Sequence, residues 1–264
     1  MTIDIAYAEQ VGTGAAYRSA AVLKTYFGTS TLSIRKKGDK DLVTEADTAS
    51  EAAIIDAIQE RFPDHDILAE ESGRRQDRSR FCWIIDPLDG TTNFSHGIDI
   101  FAVSIALAED DRVIVGIVLN PVTGELFTAT RGGGARQNGR PITVSATRRL
   151  DEALLVTGFP YNFAEIRQAV VKRFFNCLEA AQGVRRLGSA ALDLCYVACG
   201  RFEGFWEQNL QPWDTAAGML IATEAGATVT DFAGHAFTPE KKELLATNGI
   251  LHQEMLDLLV ISER

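Results

Sequence analysis

A short apolar run that leads directly into acidic residues is the most informative part of the chain. Residues 83–85 are Trp-Ile-Ile, and residues 86–91 are Asp-Pro-Leu-Asp-Gly-Thr. The run predicts a buried strand that ends at Asp86, and we expect Pro87 to end its hydrogen-bonded ladder and stiffen the turn to Asp89. Two carboxylates held together repel unless a cation lies between them. Hard divalent cations such as Mg²⁺ prefer these oxygen ligands.

Gly90 makes the same segment a candidate anion site. A glycine permits a tight turn, after which the N–H groups of Gly90, Thr91 and Thr92 are free to point at an anion. The segment therefore predicts metal-binding carboxylates and a phosphate cradle within one turn of each other. The alternative interpretation is that Thr91 and Thr92 are ordinary turn hydroxyls.

Acidic residues also follow apolar or aromatic residues in two remote segments. Glu70 and Glu71 end a second short apolar run before a small-residue turn. Asp214 follows Trp213 and precedes a run of good helix formers. By itself, this position predicts a helix N-cap, which stabilises a helix by about 1 kcal/mol.

Together these motifs resemble the inositol monophosphatase family of Mg²⁺-dependent, lithium-sensitive phosphomonoesterases. The resemblance rests on Glu70-Glu71, on Asp-Pro-Leu-Asp-Gly-Thr-Thr-Asn at residues 86–93, on Trp213-Asp214 and on Asp-Leu-Val-Thr-Glu-Ala-Asp at residues 41–47. The order and approximate spacing of these motifs match the family over nearly the whole chain.

The resemblance implies a role for each matching residue. Two or three Mg²⁺ ions would be bound by four acidic side chains and one main-chain carbonyl, those of Glu70, Asp86, Asp89, Asp214 and Leu88. The catalytic residues would be Asp47, Glu70 and Thr91, which orient or contact the attacking water. Bound metals lower the pKa of water and neutralise charge on the transferring phosphoryl group, so no side-chain nucleophile is needed.

A further set of residues is expected to contact the substrate. This set comprises Gly90, Thr91, Thr92, Arg186, Gly188, Ser189, Ala190 and Glu207. Glu207 would accept hydrogen bonds from substrate hydroxyls, close to the main-chain amides around Ser189. The alternative interpretations are that Glu207 is a surface charge and that Asp47 only complements a helix dipole.

The favoured substrate is inositol monophosphate or a similar polyol or sugar monophosphate. Thr92 supports this preference, because many nucleotide-directed relatives carry Lys after the first Thr. Arg185, Arg186 and Arg201 leave a bisphosphate open, so the alternatives are a fructose-1,6-bisphosphatase, a histidinol-phosphatase or a phosphoadenosine-phosphate phosphatase. A binding partner of the transcription antitermination type is the alternative of another class. A structural Ca²⁺ site fits less well, since its ligands commonly come from one loop.

Composition indicates a folded enzyme that binds a small molecule. The 26 basic and 36 acidic residues give a formal charge of −10, which argues against direct nucleic-acid binding. No apolar run reaches the roughly 18 residues of a membrane span, and no signal segment is recognised, so we expect a cytoplasmic protein. The four cysteines are expected to be reduced thiols. The family resemblance implies a homodimer.

Hydrophobic periodicity predicts alternating helices and strands. Helices are expected over residues 4–27, 44–62, 163–182, 189–199 and 250–260, with another that begins near Asp214. Strands are expected over residues 103–108, 113–120, 125–130, 154–157, 184–187, 204–207 and 227–230, and the Gly-rich residues 131–135 predict a turn. His65, His96, His235 and His252 are expected at the surface.

The pattern and the resemblance predict a mixed α/β (α+β) protein with a layered αβαβα sandwich of the sugar-phosphatase type. Residues 1–264 would form one unit, with an N-terminal half at about 1–141 and a C-terminal half at about 142–264. The basic loop at residues 36–40 is open to two interpretations: a solvated loop or a lid that brings positive charge over the phosphate.

Overall fold

The computed structural model describes residues 3–29, 34–36, 42–75, 79–160 and 162–261. Its helices are α1 (Ile5–Tyr26), α2 (Glu45–Gln59), α3 (Thr91–Ser95), α4 (Phe163–Ala180), α5 (Ala190–Ala198), α6 (Pro212–Glu224) and α7 (His252–Leu259). Its strands are β1 (Ile34–Lys36), β2 (Leu42–Thr44), β3 (Asp66–Ala69), β4 (Gly73–Arg75), β5 (Phe81–Asp89), β6 (Ala102–Glu109), β7 (Arg112–Leu119), β8 (Leu126–Thr130), β9 (Gly134–Gln137), β10 (Arg140–Pro141), β11 (Leu154–Thr157), β12 (Gly183–Arg185), β13 (Gly204–Gln208), β14 (Thr228–Thr230) and β15 (Glu243–Thr247).

The strands form two large sheets and one small pair. The larger sheet has the order β10-β9-β8-β7-β6-β5-β3-β4, and its neighbours are antiparallel except for the parallel pair β3 and β5. The smaller sheet has the order β12-β11-β13-β15-β14, in which β11 is parallel to both of its neighbours. β1 and β2 form a separate antiparallel pair.

Alternating side chains attach the larger sheet to helices on both faces. Along β6, Val103 and Ile105 belong to the apolar cluster of α1 and α2, whereas Ala102 and Ala106 belong to the cluster of α5 and α6. This alternation follows from the two-residue repeat of a strand. A strand buried on both faces must be apolar throughout, which explains why the sequence of β6 is nearly continuous in Ala, Val, Ile and Leu.

The smaller sheet is also covered on both faces. Val156 and Phe205 pack against the layer of α5 and α6, whereas Leu155 and Trp206 pack with residues of α4 and α7. The layers therefore run from α1 and α2 through the larger sheet, α5 and α6, and the smaller sheet to α4 and α7. This arrangement confirms the αβαβα sandwich. The division into halves near residue 141 stays a prediction.

Most elements lie where the sequence predicts them, and the differences are local. The last strand, β15, was not predicted, because its five residues follow a charged segment and are too short to show a period. The turn within residues 131–135 is followed directly by β9. All four cysteines are free thiols. Lys37 and Lys40 of the basic loop lie outside the described residues.

Two of the four histidines, predicted at the surface, are only partly exposed. The His65 ring accepts a hydrogen bond from Trp83 Nε1 at 3.1 Å and stacks on Phe62 and Phe81. His252 lies within 3.0 Å of two threonine hydroxyls. Burial lowers the pKa of both rings. They act as polar packing groups, a use that aromatic amphipathic rings allow.

In the described part of the chain, every helix is too short or too polar to span a bilayer.

Candidate active site

A cleft of about 410 Å³ lies where the two large sheets approach the amino end of α5. It is lined by all of the predicted site residues except Asp47, namely Glu70, Asp86, Leu88, Asp89, Gly90, Thr91, Thr92, Arg186, Gly188, Ser189, Ala190, Glu207 and Asp214. These residues come from segments that are up to 144 positions apart (Glu70 to Asp214). The fold therefore brings the separate acidic motifs to one place.

The first two carboxylates are positioned by an irregularity in β5. The strand does not end at Pro87 as predicted, because it continues to Asp89. Its register against β6 shifts between Asp86 and Asp89, which pair with Ser104 and Ala102. Proline has no N–H to donate to the ladder, and a bulge accommodates it. The bulge also changes the direction in which the following side chains point. Both carboxylates thus reach the cleft from one strand.

Gly90 connects β5 to the short helix α3 in a conformation that suits glycine. Its φ is 101°, and an added Cβ would lie 3.1 Å from the carbonyl oxygens of Gly188 and Ile100. The backbone can approach these carbonyls only because the side chain is missing. The first N–H groups of α3, which begins at Thr91, have no acceptor within the helix. Gly90, Thr91 and Thr92 line the cleft.

Asp89 joins the larger sheet to the start of α5. Its Oδ2 accepts hydrogen bonds from Ser189 Oγ at 2.6 Å and from the Ala191 N–H at 2.7 Å. Ser189 is also the N-cap of α5, since its side chain accepts from the Leu192 N–H. Burial raises the pKa of Asp89 to about 6, although these hydrogen bonds and Arg186 oppose the shift.

The sequence position of Asp214 predicts an N-cap, but in the structure Asp214 is not one. α6 begins at Pro212, so Gln211 is the N-cap and Asp214 occupies the third position of a capping box. Proline is favoured at the first helical position, so the helix begins at Pro212, before Asp214. The Asp214 Oδ2 accepts a hydrogen bond from the Gln211 N–H at 2.7 Å. The carboxylate is thereby fixed beside the cleft.

Burial and neighbouring negative charge both disfavour ionisation of the cleft carboxylates. Burial raises the pKa of Asp86 well above its usual value, and the charges of Glu70, Asp89 and Asp214 raise it further. Burial likewise raises the pKa of Asp214 well above its usual value, followed by the effect of Asp89. Glu70 follows β3, and its N–H donates to the Ile85 carbonyl at 3.1 Å, which holds it beside β5.

The donor set fits a hard divalent cation. Hydrogen bonds use Oδ1 of Asp86 and Oδ2 of Asp214, and within the described residues no donor reaches the second oxygen of either. Such oxygens are the ligands that Mg²⁺ takes, together with water and phosphate oxygens. In the same ranges, no group of three or more acidic, histidine or cysteine side chains already surrounds a common ion position.

Asp47 lies behind the cleft wall, next to Thr91. It is fully buried in the first turn of α2. The Thr91 hydroxyl lies 3.2 Å from Asp47 Oδ1 and also 3.2 Å from the Leu88 carbonyl oxygen. The structure therefore brings Asp47 to the site through Thr91, which lines the cleft.

The far side of the cleft holds a second acidic group. Burial raises the pKa of Glu207 to about 8, and the charge of Asp89 adds to this effect while Arg186 opposes it. Asp193 was not predicted from the sequence. It is only 1% exposed, and its Oδ1 has no hydrogen-bond partner among the described residues. An acidic residue inside the otherwise apolar sequence of α5 was the available signal.

A five-layer sandwich with a carboxylate-lined cleft between its sheets defines a sugar-phosphatase type of protein. Comparisons with known proteins identify the family within that class. A model of the Inositol monophosphatase family matches residues 4–263. The chain belongs to this family and is a phosphatase.

Individual relatives agree with this placement. Over 228 residues the chain is 49% identical to an inositol-1-monophosphatase of Synechocystis sp., which covers 86% of this chain and 79% of the relative. It is 47% identical over 217 residues to the Nus factor SuhB of Escherichia coli, with coverage of 81% and 80%. The crystal structure of the extragenic suppressor protein SuhB from Bartonella henselae superposes with a TM-score of 0.92 at 40% identity, covering 96% of this chain and 98% of that one.

Proposed function

We propose that this protein is a Mg²⁺-dependent phosphomonoesterase that hydrolyses inositol monophosphate or a similar polyol or sugar monophosphate. The observation that carries the proposal is the convergence of Glu70, Asp86, Asp89 and Asp214 in one cleft, where their charges repel. Buried carboxylates that raise one another's pKa are costly unless a cation is present. A site that concentrates them is therefore best explained by metal binding.

The metal ligands would be these four side chains and the Leu88 carbonyl, for two or three Mg²⁺ ions. When bound, Mg²⁺ supplies an activated water and neutralises charge on the phosphoryl group. Hydrogen bonds from the Ser189 hydroxyl and the Ala191 N–H fix the orientation of the Asp89 carboxylate. The N–H groups of Gly90, Thr91 and Thr92 would bind phosphate oxygens at the start of α3.

The remaining residues of the site would serve the water and the substrate alcohol. Asp47 and Thr91 form a hydrogen-bonded pair that would orient the attacking water and accept its proton. Glu207 and the amides near Gly188, Ser189 and Ala190 would bind substrate hydroxyls, and Arg186 would moderate the negative charge. A carboxylate at this place favours a polyol over a second phosphate group.

The comparisons do not favour the alternatives considered from the sequence, namely fructose bisphosphate, histidinol phosphate, phosphoadenosine phosphate or a transcription-antitermination partner. The homodimer and sensitivity to lithium stay predictions. Light scattering tests the first, and inhibition by LiCl tests the second.

The decisive experiment is phosphate release from myo-inositol 1-phosphate with and without Mg²⁺. Asp89→Asn and Asp214→Asn should lower kcat by orders of magnitude, because each removes one ligand charge while the amide oxygen keeps the hydrogen-bond acceptor. Asp111→Asn, at an exposed turn between β6 and β7, is the matched control and should retain activity. Full turnover in both cleft variants, or equal turnover without Mg²⁺, would refute the proposal.

A further inference from the structure

The side chain of Glu207 lies across the backbone of Gly158. β11 and β13 are parallel neighbours in which Thr157 pairs with Trp206, and Gly158 and Glu207 are the residues that follow this pair. A Cβ built on Gly158 would overlap the carboxylate carbon and both carboxylate oxygens of Glu207. Glu207 therefore occupies the space that any side chain at position 158 would need.

The backbone at Gly158 gives no other reason for a glycine. Its φ lies outside the left-handed region, so an L-residue could adopt the same backbone conformation. Gly158 is buried and lines the cleft together with Glu207. The absence of a side chain matters here because of the space it leaves and not because of conformational freedom.

Packing, and not hydrogen bonding, fixes the Glu207 carboxylate. No donor among the described residues forms a hydrogen bond with it, although Arg186, Asp89 and Asp193 are its charged neighbours. A glutamate has three rotatable side-chain bonds, and an unbonded carboxylate in open solvent would sample many rotamers. Contact with Gly158 restricts that freedom at the wall of the cleft, which both residues line.

We propose that Gly158 is a specificity-determining positioning residue, because its lack of a side chain keeps Glu207 turned toward the hydroxyl groups of a polyol phosphate. The inference rests on the proposed function, since it assigns Glu207 to the substrate alcohol and not to the phosphate. A methyl group at position 158 would push the carboxylate out of its place. Recognition of hydroxyl groups would then weaken more than the hydrolysis of a plain phosphate ester.

The test compares two substrates across a set of variants. The measured quantity is the ratio of kcat/KM for myo-inositol 1-phosphate to kcat/KM for p-nitrophenyl phosphate, which has no neighbouring hydroxyls. Above pH 8, where the Glu207 carboxyl is ionised, Gly158→Ala and Glu207→Ala should each lower this ratio about 10- to 100-fold, the range for losing a hydrogen bond to a charged group. The loss should lie in KM for inositol phosphate more than in kcat.

A double variant separates positioning from a general structural role. When Glu207→Ala removes the carboxylate, the methyl group of Gly158→Ala has room, so the double variant should match Glu207→Ala in ratio and thermal stability. This holds even where Gly158→Ala alone is unstable. Gly183→Ala is the matched control, because its Cβ would meet only the ends of the Arg185 and Leu154 side chains, at 3.3 and 3.6 Å. This variant should retain the ratio.

The outcomes distinguish this inference from the proposed function. Unchanged discrimination in Gly158→Ala, or independent and additive losses in the double variant, would overturn the role of Gly158 while Mg²⁺-dependent hydrolysis remained. Absence of Mg²⁺-dependent hydrolysis of both substrates by the unaltered protein would overturn the proposed function and this inference together.

Discussion

The hydroxyl of Thr91 lies 3.2 Å from Oδ1 of Asp47, which is 44 positions earlier in the chain. The contact joins the first turn of α2 to the first turn of α3, so two helix starts meet behind the cleft wall. Asp47 is fully buried there, and a buried carboxylate is retained only where hydrogen bonds or charges compensate it. The pair is placed to hold a water proton beside the proposed metal ligands.

We therefore expect Asp47→Asn to lower kcat for myo-inositol 1-phosphate by about 10²- to 10⁴-fold, the usual contribution of a positioned proton acceptor. The amide oxygen can still accept from Thr91, so the melting temperature should change little. Steady-state kinetics and thermal unfolding measure the two effects. Glu45→Gln, an exposed position in the same helical turn, is the control. Equal loss in both variants would assign the effect to α2 in general.

Charge repulsion in the cleft gives a second expectation, concerning Asp86→Asn. The pKa of Asp86 is raised well above its usual value, so its ionised form destabilises the metal-free protein near neutral pH. Removing the charge should raise the melting temperature in EDTA while it abolishes activity. Mg²⁺ should stabilise the unaltered protein through mass action but stabilise the variant much less.

Differential scanning fluorimetry with EDTA and with Mg²⁺ checks this expectation. Asp111→Asn, the exposed control, should leave both melting temperatures near those of the unaltered protein. A variant at Asp86 that is less stable than the unaltered protein in EDTA would show that this carboxylate is a structural group and not a metal ligand.

Much of the site was predictable because it depends on residue type near the ends of regular elements. The apolar run at residues 83–85 indicated β5. The acidic residues that follow the short apolar runs indicated the cleft. The bulge after Asp86 was not predictable, since the sequence favours an end of the ladder at Pro87 and only pairing with Ser104 and Ala102 extends it. Tertiary pairing overrode a local preference.

Residues whose roles depend on neighbours were harder to predict. Asp214 has the type of an N-cap, but Pro212 starts α6 earlier and moves it to the third position. Gly158 carries no local motif, because its importance comes from packing against a residue of another element. The contact between Gly158 and Glu207 exists only once β11 and β13 are paired.

The stability of the metal-free protein should depend on pH through Glu207. Its pKa is about 8 in the folded protein and 4.5 as its ordinary value. The folded state thus keeps a proton that the unfolded state releases. The resulting stabilisation is fully present below pH 4.5 and is lost as the pH rises through about 8.

Glu207→Gln should therefore reduce the fall of the melting temperature in EDTA between pH 5 and pH 8. For a domain of about this size, each kcal/mol corresponds to roughly 2–4 °C. Glu240→Gln, at an exposed position, should leave the pH slope unchanged. A slope in Glu207→Gln as steep as that of the unaltered protein would show that Glu207 releases its proton near the same pH in both states.

Ser189 links the stability of α5 to the orientation of Asp89, a proposed metal ligand. Its hydroxyl donates to Asp89 Oδ2 at 2.6 Å and accepts from the Leu192 N–H at 3.4 Å. Ser189→Ala should destabilise the fold by about 1–2 kcal/mol through loss of the N-cap, and it should also leave Asp89 less well oriented. The Mg²⁺ concentration for half-maximal activity should rise accordingly.

A titration of activity against Mg²⁺ separates these two effects, because a lost cap alone lowers stability without changing the metal dependence. Ser189→Thr keeps the hydroxyl and should retain both properties more closely. The Ala191 N–H also donates to Asp89, at 2.7 Å, so the carboxylate keeps one partner and activity should fall without vanishing. An unchanged Mg²⁺ titration in Ser189→Ala would mean that the Ala191 N–H alone is enough to orient Asp89.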